Sequence, residues 1–131
     1  MLRTVLFTII VLATPLAAQT ARFRDQVFTT VQRTNDIAYG AAVNPFTSVN
    51  TTLLLDRYQP AGDALVARPA VVVVHGGGFV MGDKGDATMV GICDDLARRG
   101  YLAVSINYRL KPVGTPITTA VIAMAIGRRR R

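Results

Sequence analysis

Apolar positions in the middle of this chain change their spacing twice, and each change marks an element boundary. Ala70 to Val74 is an almost unbroken β-branched run, the pattern of a strand covered on both faces rather than one alternating between core and solvent. From Thr88 to Arg99 the apolar residues Val90, Ile92 or Cys93, Leu96 and Ala97 recur at helical spacing. Gly100 follows where a helix-ending glycine belongs, and the basic pair Arg98-Arg99 suits the negative end of the helix. Leu102 to Asn107 is a second buried strand. Strand, loop, helix and strand in this order form a βαβ unit, which commits the domain to an α/β class with a parallel sheet under helical cover.

Upstream the pattern is weaker. Residues 19 to 35 are polar and read as an extended lead-in, Asp36 to Gly40 as a short strand, and Asn44-Pro45-Phe46 with Ser48-Val49-Asn50 as a loop. Thr51 to Gln59 is the next strand, halted by the turn sequence Pro60-Ala61-Gly62-Asp63. The first eighteen residues stand apart. Arg3 supplies a positive start, Thr4 to Ala13 an apolar stretch, and Pro15-Leu16-Ala17-Ala18 a small-residue cleavage site, the layout of a secretory signal peptide. Cleavage near Ala18 leaves Gln19 first and residues 19–131 as one domain. The apolar stretch falls short of the roughly 20 residues that span a bilayer, so no membrane segment is expected beyond this leader, an uncleaved short anchor being the rival reading. The expected location is exported, periplasmic or extracellular.

Charge and cysteine content narrow the partners. The formal charge is +7, of which Arg128 to Arg131 supply four and Arg3 one, so residues 4 to 127 carry only +2. The remaining basic residues are interspersed with eight aspartates, and no basic face implies nucleic acid. Cys93, the one cysteine, excludes an internal disulfide and reads as a buried structural thiol. With one histidine and one cysteine there is no ligand spacing for a metal, and no cofactor is expected.

Candidate chemistry concentrates at His75-Gly76-Gly77-Gly78-Phe79, directly after the valine strand. Glycines without Cβ atoms let backbone N–H groups approach a ligand closely. Their place at a strand end suits an oxyanion hole, which holds the negative oxygen of an acyl-transfer intermediate. His75 supports that loop through a ring-to-backbone hydrogen bond. A plain tight turn is the bland alternative. A dinucleotide loop is the other: Gly76, Gly78 and Gly82 follow a strand, but their spacing is one residue too long, and the next strand ends in Ser105-Ile106-Asn107 without an acid for a ribose hydroxyl.

Residues of about 50 to 111 resemble the α/β-hydrolase fold in its hormone-sensitive-lipase-like and feruloyl-esterase-like branch. Four stretches carry the resemblance: Leu55-Asp56-Arg57-Tyr58-Gln59-Pro60-Ala61-Gly62, His75 to Lys84, Leu96-Ala97-Arg98-Arg99-Gly100-Tyr101, and Ser105-Ile106-Asn107-Tyr108-Arg109-Leu110. The resemblance implies the N-terminal part of a hydrolase sheet, two leading strands and then the βαβ unit, incomplete as it stands. It implies a serine esterase acting on a small carboxylic ester, with the oxyanion at Gly76, Gly77 and Gly78 and no cofactor. It further implies that the valine strand lies between the Leu102 strand and a strand bearing the nucleophile.

That family requires a G-x-S-x-G elbow, then an acid, then a histidine. Here the only serines are Ser48, in a loop without flanking glycines, and Ser105, within a buried strand, and the only histidine is His75. No triad can be assembled from these residues. Ile117 to Ile126 is apolar and uncharged and precedes Gly127 and four arginines, so residues 117–131 depart from the family pattern, as a truncated or frame-shifted gene would. The expected product is inactive alone and prone to self-association through an exposed edge strand. The alternatives are a non-catalytic binding module and a fragment complemented by another chain.

Overall fold

The first strand of the fold is much longer than the hydrophobic pattern suggests, while the second matches it to within one residue at each end. In the computed structural model, which describes residues 21–116, β1 is Val31–Val43 and β2 is Asn50–Pro60, paired antiparallel. The short strand expected at Asp36 to Gly40 is thus the middle of a 13-residue one. The register shifts between Thr34 and Ile37 and again between Ala38 and Gly40. Each irregularity resets the alternation of inward and outward side chains, which hides the strand's true length. Asp36 sits in the first irregularity with φ 57°, a left-handed conformation that aspartate tolerates better than most residues.

The lead-in is also more structured than its composition suggests. Residues 21–28 fold back on the end of the helix α1 (Ala87–Arg98), where Phe23 N donates to Arg99 O and both Val27 N and Phe28 N donate to Arg98 O. The helix closes as its sequence predicts: Gly100 N donates to Ala97 O and Tyr101 N to Leu96 O, with Gly100 at φ 100°. These paired bonds satisfy carbonyls that the last turn leaves free.

β3 (Ala70–Val74) and β4 (Leu102–Ile106) pair in parallel on either side of α1, the expected βαβ unit. β4 also pairs antiparallel with β2, setting Asp56 opposite Ser105 and Tyr58 opposite Ala103. The strand order is β1-β2-β4-β3, a mixed sheet with β3 at its edge. α1 covers one face, over a core of Tyr58, Val73, Cys93, Ala97 and Ala103. Burial pushes the Cys93 thiol up to about 11, so it is protonated at neutral pH and acts as a packing group.

One expectation needs correction. Val72 and Val74 point to the other face and are 58% and 53% exposed, so β3 is covered on one face only among the described residues. Among those residues no helix is long and apolar enough to cross a membrane. The leader, residues 1–18, and the atypical tail, residues 117–131, lie outside the described residues.

Candidate active site

Where β3 ends, the chain enters a loop whose first three carbonyls, those of His75, Gly76 and Gly77, are held by hydrogen bonds. The His75 ring is buried and lies flat against Tyr108, ring centroids 4.4 Å apart at 15°. Its Nδ1 is 2.8 Å from Gly76 O. A carbonyl oxygen only accepts, so the proton in this contact belongs to Nδ1. The Tyr108 hydroxyl donates to His75 O at 3.0 Å and approaches Gly76 O at 3.4 Å. Gly77 O accepts from Val80 N at 3.0 Å and Met81 N at 3.3 Å. The amides of Gly76, Gly77 and Gly78 take part in none of the turn hydrogen bonds among the described residues.

Gly77, Gly78 and Gly82 all have positive φ, but a Cβ would collide with its surroundings at only two points of this loop, and they are not adjacent. A Cβ on Gly77 (φ 107°) would lie 2.1 Å from Met81 O, and one on Gly82 (φ 106°) would lie 2.3 Å from His75 Nδ1. Gly77 therefore permits the tight turn, and Gly82 makes room for the imidazole beneath it. His75, Gly76, Gly77, Met81, Gly82, Asp86, Thr88 and Met89 line an open depression of about 500 Å³ between the loop and the start of α1. A second hollow of about 340 Å³ lies beside His75 and Tyr108, next to Thr52, Leu54, Asn107 and Arg109.

A charge network around the buried Asp56 and Lys84 holds the loop where it returns to the sheet. Lys84 Nζ is 2.8 Å from both Asp56 Oδ1 and Asp36 Oδ1. Asp56, 1% exposed, also accepts from Arg33 at 2.9 Å and from the Asp36 amide at 3.0 Å. Burial alone would raise the Asp56 pKa, but the hydrogen bonds from Lys84, Asp36 N and Arg33 outweigh it and hold the carboxyl below its ordinary 3.8. Burial alone would lower Lys84; its two aspartates prevail and raise it above its ordinary 10.5. The Lys84 backbone is fixed as well, its N–H donating to Asn107 Oδ1 at 2.7 Å and its carbonyl accepting from Ser105 Oγ at 2.8 Å. Asn107 Nδ2 donates to Asp83 Oδ2 at 2.8 Å; that bond first, then the Gly85 amide, lowers the Asp83 pKa.

Ser105 is therefore fully buried with its hydroxyl committed to Lys84 O, and Ser48 sits at φ 59° in the exposed β1–β2 turn. Of the residues singled out from sequence, His75 and Gly76 to Gly78 fall together at the end of β3. Tyr108, Lys84 and Asp56 join them only in three dimensions. The one signal for these three was that all lie within the stretches carrying the family resemblance.

The BD-FAE family model matches residues 55–123, more than half of the chain, and spans the loop, α1 and both strands of the βαβ unit. The chain belongs to the BD-FAE family. As a member it carries the N-terminal part of an esterase-like α/β-hydrolase fold, seen here as the mixed sheet with α1 against one face. Solved structures similar to it include esterase B from Lactobacillus rhamnosis HN001, at 29% identity and TM-score 0.48, covering 72% of this chain and 28% of that one. Another is brefeldin A esterase, a bacterial homologue of human hormone sensitive lipase, at 21% identity and TM-score 0.47, covering 88% and 30%. A hyperthermophilic esterase from the archaeon Pyrobaculum calidifontis shares 30% identity at TM-score 0.41, over 63% and 22%. This chain spans under a third of the length of each of these esterases. No curated protein matches it.

Proposed function

We propose that this BD-FAE chain supplies the oxyanion-binding half of a serine carboxylic-ester hydrolase, with Gly76, Gly77 and Gly78 as donors and His75 as their support. The observation that carries this reading is the loop itself. The His75, Gly76 and Gly77 carbonyls are occupied, the three glycine amides take part in no turn hydrogen bond among the described residues, and Gly76 and Gly77 border an open depression. Donors fixed in advance need no rearrangement as charge develops on the carbonyl oxygen, which makes such sites effective. The substrate class is a small carboxylic ester, and no cofactor enters the chemistry.

The 131 residues contain no G-x-S-x-G elbow and no second histidine, so turnover by this chain alone is not expected. A chromogenic butyrate ester should be cleaved no faster than in buffer, and cleavage blocked by a serine-directed phosphonate would overturn this. β3 lies at the edge of the sheet among the described residues, which favours a second reading in which another polypeptide adds the nucleophile strand there. Co-expression with the elbow-to-histidine portion of an active BD-FAE relative should then restore hydrolysis. In the restored enzyme Gly77→Ala, which keeps the N–H but sets a Cβ against Met81 O and so shifts the loop, should lower kcat by about 100-fold or more, the scale for taking an oxyanion donor out of place. An unchanged kcat would remove Gly77 from the hole. The leader-like residues 1–18 support an exported location, which N-terminal sequencing of secreted protein beginning at Gln19 would establish.

A further inference from the structure

The geometry points to Tyr108 as the positioning residue that aims the Gly76 and Gly77 amides. This assignment rests on the oxyanion reading for its purpose, but its geometry does not. No peptide bond among the described residues is cis. In a trans peptide the carbonyl and the following N–H point in opposite directions. The Tyr108 hydroxyl draws the His75 carbonyl toward itself at 3.0 Å, so the Gly76 N–H points away from the tyrosine. The next carbonyl, Gly76 O, is held on the same side by His75 Nδ1 at 2.8 Å and by the longer Tyr108 contact at 3.4 Å, so the Gly77 N–H points away as well.

The two hollows differ in the same sense: His75 and Gly82 border both, but of the remaining loop contacts Tyr108 lines only the smaller, and Gly76 and Gly77 only the larger. Tyr108 is not among the residues lining the larger depression, so it acts there through the backbone it holds rather than on a bound group. Its ring is wedged between the His75 imidazole and the edge of Phe79, 5.8 Å away, which limits where the hydroxyl can go. Burial raises the phenol above its ordinary 10, and the hydroxyl remains a donor at neutral pH.

The test is ¹⁵N relaxation of the full chain, run in a Val72→Lys background that places a charge on the open sheet face and away from the loop. Rigid backbone gives order parameters near 0.85 and flexible backbone below about 0.6. Gly76 and Gly77 should be rigid with tyrosine present and should drop into the flexible range in Tyr108→Phe, which keeps the ring but removes the donor. The α1 amides should not change. Unchanged glycines, or a loss shared equally by α1, would overturn the assignment, the second outcome marking a merely structural residue. Should Tyr108→Phe fail to fold, residual dipolar couplings on the Tyr108 protein give the N–H directions themselves, and vectors aimed at the Tyr108 ring would overturn it. Correctly aimed amides in a complemented enzyme indifferent to Gly77→Ala would defeat the esterase reading while leaving Tyr108 in its role.

Discussion

Val73 and Val72 are neighbours in one five-residue strand, yet the first is 9% exposed and the second 58%. The difference is the difference between the two faces of the sheet. On the α1 side, Val73 stands in register with Ser105 and, across β4, Asp56; this row joins apolar packing to the charge network beneath the glycine loop. On the other side, Val74 lies in register with Ile106 and Leu55, an apolar row of which Val74 is exposed and Ile106 and Leu55 half-buried. Identical side chains thus do different work, because period two sends alternate residues to opposite faces. The lesson is that the candidate site is built on the covered face: Asp56 and Ser105 share the face of the core residues Tyr58 and Ala103, and Lys84 is bonded to both.

The sharpest way to break this comparison is to remove a charge from the covered face. Lys84→Met leaves buried Asp56 with only part of its compensation and should destabilise the chain by about 3–5 kcal/mol, the scale for breaking a buried ion pair. Urea denaturation followed by circular dichroism measures it, and a loss under 1 kcal/mol would show the network to be dispensable. Next comes the valine pair itself. Val73→Ala should cost about 2 kcal/mol, while Val72→Ala should stay within about 0.5 kcal/mol; equal costs would erase the distinction between the faces.

The open side can be sharpened by its association. An apolar edge strand with free backbone groups invites pairing between chains, and a lysine there discourages it. Sedimentation should show concentration-dependent self-association of the native chain and a shift toward monomer in Val72→Lys. The smallest effect is in pH. Because the fold holds Asp56 below its ordinary 3.8, its contribution is fully present above that value and disappears as pH falls through the depressed one. Lys84 is raised, so its contribution is complete below its ordinary 10.5 and fades as pH climbs through the raised value. Stability should be level from above 3.8 up to about pH 9, where the Cys93 thiol, kept protonated by burial in the fold, begins to ionise in the unfolded chain, and Asp56→Asn should flatten the acid limb in a series of urea titrations.

Much of this was legible from residue order. The βαβ unit, the end of α1 at Gly100 and the concentration of chemistry at His75 to Gly78 all follow from local rules: apolar period, a left-handed glycine, a strand-end turn. β1 was not legible over its full length, since its irregularities around Asp36 and Tyr39 scramble the alternation that marks a strand. Nor was the partnership of Lys84 with Asp56 and Asp36. Those residues are separated by long stretches of chain, and only the pairing of β1, β2 and β4 brings them under one loop. The exposure of Val72 and Val74 was hidden for a related reason, because a run of valines reads the same whether or not a second layer covers it.

The contact between Gly82 and His75 reverses the ranking that the eye assigns to this loop. The consecutive triplet draws attention, but a methyl group on Gly76 would meet open space, whereas one on Gly82 would collide with the imidazole. In a saturation library, position 76 should accept alanine and position 82 should reject every side chain. A pattern search for relatives should accordingly weight the solitary glycine four residues beyond Gly78 above the first of the three.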